Sequence, residues 1–421
     1  MCVYQKTTLA NGLRIVTTEL PHARSVSTSI FLGIGSRNEN TNQRGICHFL
    51  EHMLFKGTQT RPTAKDISIE IEQIGGILNA ETGKEATVYW DKVSQRHWKL
   101  AIELLADVLR HSRFDLAEVE KERGVIIEEL SMLFDSPGDW VHVLIDEVLW
   151  GKHPLGRDVG GDRDSVSTIS RDDLTRFLDQ SYSPDIGVVA VAGPIEHAAI
   201  VDEIEKLLGD WPRRAPVPWE PANGKNSESR IMIRNKDTEQ AHICLAVPGY
   251  SFAHPDRFAL DLLNVILGEG MSSRLFQEIR EKRGLGYDVQ SYVTRFRDAG
   301  SVVVNTSVDP ARVDETLRAI VGELDGVRQP LPSDEVRRAK DFWKGRIELR
   351  LEETRSLASW LGSQELFFDR ILTVEDVVAR IDAVTPEDLM RVASDVFRHE
   401  QFHVAAIGPN LDESLIAKIV S

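Results

Sequence analysis

The sequence predicts an α+β protein made of two similar, duplicated domains, each a mainly antiparallel sheet packed against helices. Two repeated patterns and one interruption predict it. Asp172-Asp173-Leu174-Thr175-Arg176-Phe177 precedes Val188-Val189-Ala190-Val191-Ala192-Gly193-Pro194, and Glu387-Asp388-Leu389-Met390-Arg391-Val392 precedes His403-Val404-Ala405-Ala406-Ile407-Gly408-Pro409. Leu174 to Leu389 and Gly193 to Gly408 are the same offset, 215 residues. A second match runs in the same order, at residues 77–93 and 288–308. One match is a coincidence; two in order make an internal duplication. The interruption is Pro212-Arg213-Arg214-Ala215-Pro216-Val217-Pro218-Trp219-Glu220-Pro221-Ala222-Asn223-Gly224, whose prolines forbid regular structure and give an extended linker.

Each element has a local reason. The first pattern reads as an amphipathic helix, a turn and a buried strand ended by Gly-Pro, with a further helix at about 198–208 and again at about 411–420. Residues 77–93 read as a strand pair turning near Thr82-Gly83-Lys84, followed by a helix at about 94–110. Residues 288–308 turn at Asp298-Ala299-Gly300, and the β-branched run Val302-Val303-Val304 argues strand; a helix follows at about 310–327. The helices are expected to cover one face of each sheet. The domains are placed at 1–211 and 230–421, with the linker at 212–229. That division suits 421 residues at about 150 per domain.

Composition narrows the function. Hydrophobic residues at 42% and charged residues at 28% describe an ordinary packed protein. No apolar run is long enough to span a bilayer, so no membrane partner is expected. Fifty Lys and Arg against 66 Asp and Glu give a net charge of −16, which disfavours nucleic acid and favours basic ligands. The start, Met1-Cys2-Val3-Tyr4-Gln5-Lys6, lacks the basic end and apolar run of a signal peptide. With only three cysteines (Cys2, Cys47, Cys244), a cytoplasmic, reducing location is expected.

The chemistry concentrates in Cys47-His48-Phe49-Leu50-Glu51-His52-Met53-Leu54-Phe55. Good helix formers without Gly or Pro make this a helix, so His48 and His52, four apart, share a face and Glu51 lies on the same side. The apolar residues between them spread round the other faces, which makes the helix largely buried. Two imidazoles and a carboxylate in such a place are costly unless a divalent cation compensates. Chance gives this H-x-x-E-H pattern about 0.03 times in a chain of this composition. Cys47 points about 100° away and is left out. A catalytic zinc takes three protein ligands and keeps a fourth position open, so a third ligand must come from another element. The acidic helical segment 119–130 offers Glu122 and Glu129, two turns apart on one side, and Glu128 about 100° round from Glu129. Spacing alone leaves Glu128 and Glu129 both open.

With Phe55-Lys56-Gly57-Thr58 and Glu122…Glu129, the motif resembles the pitrilysin/insulinase family of zinc metallopeptidases, in particular its mitochondrial processing peptidase-like branch of short bacterial type. The resemblance runs the whole chain, from Asn11-Gly12-Leu13 and Gly33-Ile34-Gly35-Ser36-Arg37-Asn38-Glu39 to Gly408-Pro409. It implies one Zn2+ per chain held by His48, His52 and Glu129, with Glu51 activating a zinc-bound water and Glu122 an essential supporting carboxylate. It implies a substrate peptide added to the strand at 75–82, with Asn79 and Ala80 as main-chain contacts and Phe55 beside the pocket past the cut bond. The second half lacks the motif. By the same resemblance its Arg280 grips peptide carbonyls and Tyr287 donates to the oxyanion. The implied protein is a zinc endopeptidase of peptides or presequence-like unfolded segments, basic ones among them, working inside a homodimeric chamber. The second half of one chain would complete the site of the other. The competing reading is a nonenzymatic assembly or core-type subunit of the same fold.

Overall fold

The structure, a computed structural model, describes residues 4–222, 229–368 and 370–421. Met1-Cys2-Val3 and residues 223–228 of the expected linker lie outside the described residues. Two sheets organise the chain. The first takes β1 (Tyr4–Thr8), β2 (Arg14–Glu19), β3 (Ser25–Leu32), β4 (Ile77–Thr82), β5 (Thr87–Ser94) and β6 (Gly187–Gly193) in the order β1-β2-β6-β3-β5-β4. The second takes β7 (Ile231–Asn235), β8 (Ala241–Gly249), β9 (Gly286–Arg295), β10 (Gly300–Val308) and β11 (His403–Gly408) in the order β7-β11-β8-β10-β9.

Five strands of the first sheet, all but β1, match the five of the second in order. Each sheet has one parallel pair, β2 with β6 and β7 with β11, and is otherwise antiparallel. The helix Arg171–Ser181 leads into β6 as Pro386–Val396 leads into β11, and the helices His197–Leu208 and Glu413–Val420 follow them. Strands β4 and β5 match β9 and β10, and both β4 and β9 end their sheets, paired on one side only. Helices α1 (Ile46–Leu54), α2 (Ala64–Glu72), α3 (Trp98–His111), α4 (Leu116–Asp135) and α5 (Pro137–Trp150) follow in chain order. No helix among the described residues is long and apolar enough to cross a membrane.

Both faces of each sheet are covered, not one. In the first sheet Ile15, Ile30, Tyr89, Val189 and Val191 point one way, into a core with Phe49, Leu50, Leu105 and Ile204 from the helices of the first half. Their strand neighbours Val16, Phe31, Val188, Ala190 and Ala192 point the other way, as the two-residue period of a strand demands. That second face is closed by Leu357, Ala358 and Leu361 of the helix Thr354–Phe367. Gly362 is there because a Cβ would lie 2.1 Å from the Phe31 ring. Helix α5 does the same for the second sheet, setting Val141, Leu144 and Ile145 against Cys244, Ala246, Ala405 and Ile407.

The compact units therefore interleave along the chain. One is 1–130, 158–220 and 348–374; the other is 131–157, 221–347 and 375–421. A single cut at 212–229 misses the two exchanged segments. An apolar sheet face has to be buried by some helix, and nothing in the local sequence says which half supplies it.

One core residue is out of character. Asp91 of β5 is fully buried; its Oδ1 accepts from Thr28 N at 3.3 Å, while Oδ2 meets no hydrogen-bond partner among the described residues. Burial pushes this carboxyl well above the ordinary carboxylate range, with the Thr28 bonds opposing. A raised folded pKa means that stability is fully present below the unfolded pKa and is lost as pH rises towards the folded one. Asp91→Asn, which mimics the neutral acid, is therefore expected to gain on the wild type between about pH 5 and pH 8, by at most ~1.4 kcal/mol per pH unit. Denaturant unfolding at both pH values checks this; a constant difference contradicts it.

Candidate metal centre

Helix α1 carries His48, Glu51 and His52 on one side, while Ile46, Cys47, Phe49, Leu50, Met53 and Leu54 are buried round the rest. Cys47 turns into the core, and its N–H donates to Glu39 Oε1 at 2.9 Å. Helix α4 buries Val119, Glu122, Ile126 and Leu130, a stripe at helical spacing that turns its acidic side towards the two histidines.

Three ligand atoms converge. His52 Nε2 lies 3.2 Å from His48 Nε2 and 3.6 Å from Glu129 Oε2, and His48 Nε2 lies 3.9 Å from that oxygen. The centre of the circle through these atoms is about 2.1 Å from each, which is also the ordinary bond from zinc to histidine or carboxylate. Among the described residues these three form the group able to hold a metal ion, and Glu128 contributes no atom to it. Of the two glutamates that the spacing left open, it is Glu129 that α4 brings to the histidines. The donor set, two imidazoles and a carboxylate, suits zinc.

The surroundings prepare each donor. His52 Nδ1 faces Glu122 Oε2 at 3.1 Å, and Lys56 Nζ holds Glu122 Oε1 at 2.8 Å. Glu122 is 3% exposed. Burial raises its carboxyl, but the bonds from Lys56 and His52 outweigh that and hold it below the usual range. An ionised Glu122 is placed to accept from a proton on His52 Nδ1, the tautomer that leaves Nε2 open to bind a metal. For His48, burial and then the neighbouring His52 push the imidazole down to about 4, so it is a neutral donor at physiological pH. Its Nδ1 is buried without a hydrogen-bond partner among the described residues, and Gly160 lies beside it.

Glu51 stays outside the ligand triangle. It is half-buried, and Thr82 Oγ1 donates to its Oε2. Burial raises its pKa, with the Thr82 bond and His52 opposing and Glu81 and Glu129 adding to the rise. A carboxylate made more basic in this way is suited to accept a proton.

The other expected residues are placed as follows. Phe55 ends α1, half-buried, 6.1 Å from the Tyr89 ring, at the margin of the core. Asn79 and Ala80 lie on the edge strand β4, with Asn79 exposed and its Oδ1 accepting from Ala80 N at 2.8 Å. Arg280 and Tyr287 lie in the other unit. Phe276–Lys282 forms a π-helical turn, and β9 begins at Gly286. Arg280 sits in that turn, 4.2 Å over the ring of Tyr287, which is 76% exposed on the edge strand. Sequence reasoning missed Thr82 and Lys56. Both stand inside segments it quoted, but their partners are 31 and 66 residues away.

Residues 14–163 match the family model described as insulinase (peptidase family M16), and residues 168–342 match the one described as the peptidase M16 inactive domain. The chain is 40% identical over 416 residues to an uncharacterized zinc protease of Streptomyces coelicolor, covering 97% of this chain and 90% of that protein. It is 36% identical over 406 residues to the uncharacterized zinc protease YmxG of Bacillus subtilis, covering 96% and 98%.

The chain belongs to the insulinase family of peptidases. Its fold is shared with a protease from Helicobacter pylori, at a TM-score of 0.91 and 23% identity over 97% of this chain and all of that one. A peptidase M16 inactive domain from Pseudomonas fluorescens gives 0.89 at 20% identity, over 97% and 98%. At these identities the likeness is one of fold. Within the insulinase family, this chain's ligand geometry makes a specific demand. Glu129→Gln is expected to lose most of its bound zinc and Glu128→Gln to keep it, as read by metal analysis of the purified variants; the reverse would show that the other glutamate is the ligand.

Proposed function

We propose that this protein is a zinc-dependent endopeptidase of peptides and unfolded, presequence-like segments. The observation that carries the reading is the ligand triangle with a fourth group, Glu51, beside it and not in it. When bound there, zinc supplies Lewis acidity to a water and to a peptide carbonyl oxygen. His48, His52 and Glu129 hold it, two neutral donors and one anion leaving a net charge near +1. Glu122 fixes the His52 ring from behind, itself held by Lys56. Glu51 accepts the proton of the attacking water and returns it to the leaving amine.

The edge strand β4 supports a peptide as substrate. Its outward edge pairs with no strand among the described residues, and an extended segment adds to such an edge whatever its side chains. Addition there displaces the Asn79 side chain from Ala80 N–H. Phe55 borders the pocket past the cut bond in this reading, and the protein's net charge of −16 favours basic peptides. Arg280 and Tyr287 bind the substrate carbonyl and the oxyanion, and the working unit is a homodimer in the cytoplasm. The nonenzymatic alternative is disfavoured, because a scaffold gains nothing from holding two imidazoles and a carboxylate in this costly arrangement.

Glu51→Gln is expected to retain zinc and lose peptidase activity by about 10²–10⁴-fold on an unstructured basic peptide. Metal loss with intact turnover would contradict that role. The dimer is tested by mixing two inactive variants, Glu51→Gln and Tyr287→Phe. If each chain completes the other's site, random exchange restores about a quarter of wild-type activity, since half of the dimers carry one intact site of two. No recovery after exchange, shown by subunits of two masses, would contradict it.

A further inference from the structure

Thr82 is the last residue of β4, and its hydroxyl donates to Glu51 Oε2 across 31 residues of sequence. Along β4 the residues Leu78, Ala80 and Thr82 face inward and are half-buried, while Ile77, Asn79 and Glu81 are exposed. Thr82 therefore turns towards α1 for the same reason that Leu78 and Ala80 do, the two-residue period of a strand.

The end of this strand is pinned. Gly83 N donates to Ala86 O at 2.8 Å, closing the turn into β5. Ser36 N donates to Gly83 O at 3.1 Å, and Arg37 N to Lys84 O at 2.8 Å. Arg37 is 2% exposed, and its guanidinium bonds Glu85 Oε1 at 2.6 Å. Only glycine permits this approach at position 35, where a Cβ would stand 2.3 Å from Gly83 O. Moving the turn means breaking a buried ion pair, which is costly. Helix α1, on the other side of the Thr82–Glu51 bond, is embedded in the core.

We propose that Thr82 is a positioning residue: it ties the general base to the edge strand that receives the substrate. The inference rests on the peptidase reading above. A free glutamate side chain turns about three bonds, whereas one carboxylate oxygen held by a hydroxyl leaves the other oxygen facing a fixed direction. Because the same strand aligns the peptide main chain, the bond fixes Glu51 Oε1 relative to the carbonyl to be cut. Register of the peptide and place of the base become one geometric quantity. Misplacing a catalytic group by about 1 Å costs up to about 10²-fold in rate.

The test compares Thr82→Val, which keeps shape and loses the donor, with Thr82→Ser, which keeps the donor and loses the methyl. Zinc content and steady-state kinetics on one unstructured peptide are measured for both, and for Glu51→Gln. The expected result is a kcat for Thr82→Val lower by about ten- to a hundredfold, with KM within about threefold and zinc unchanged, and rescue by Thr82→Ser. In the Glu51→Gln background Thr82→Val should change nothing further. A Thr82→Val enzyme as fast as wild type, a loss carried by KM, or a Thr82→Ser as slow as Thr82→Val would overturn the role of Thr82 alone. Absence of zinc-dependent turnover in the wild type would overturn the peptidase reading, and the proposal with it.

Discussion

Two imidazoles and a carboxylate held within 3.9 Å of one another, on helices that have no freedom to separate, are the constraint from which the rest of this structure follows. The helices cannot relax because their other faces are core: Phe49, Leu50, Met53 and Leu54 on α1, and Val119, Ile126 and Leu130 on α4. Packing energy is what sets the ligand distances. A cation placed there would offset the electrostatic cost. Around the triangle Lys56 pairs with Glu122, Glu122 faces His52 Nδ1, and Thr82 donates to Glu51.

The two halves show how one framework separates scaffold from chemistry. Five strands of each sheet correspond in order and direction, down to the single parallel pair. The first half places His48 and His52 on α1, behind the edge strand β4, and Glu129 on α4. The second half has no H-x-x-E-H, and beside its own edge strand β9 it places a π-helical turn whose Arg280 stacks on Tyr287. Such turns recur at functional sites because the extra residue redirects a side chain. A duplicated fold thus carries a candidate metal centre in one half and a stacked Arg-Tyr pair in the other.

Much of this was legible in the sequence, for definable reasons. The duplication showed because helix and strand periods survive in both copies, and the ligand helix showed because H-x-x-E-H needs nothing beyond its own turn. Thr82, Lys56 and the choice of Glu129 over Glu128 were not legible, since each depends on how two distant segments lie against one another. The exchanged helices were hidden for a related reason. Thr354–Phe367 and α5 carry apolar residues that could cover any sheet, and only the sheet faces they close reveal to which unit they belong. Asp91 was hidden as well, because a lone aspartate in a strand reads as a solvated residue until burial is known.

The central claim is that His48, His52 and Glu129 hold one metal ion, and zinc K-edge X-ray absorption on the zinc-loaded protein tests it most directly. The account predicts one zinc per chain with two imidazole nitrogens and low-Z oxygen neighbours at about 2.0–2.1 Å, and no sulfur. A sulfur shell at about 2.3 Å, a single imidazole, or a protein that takes up no zinc would contradict it.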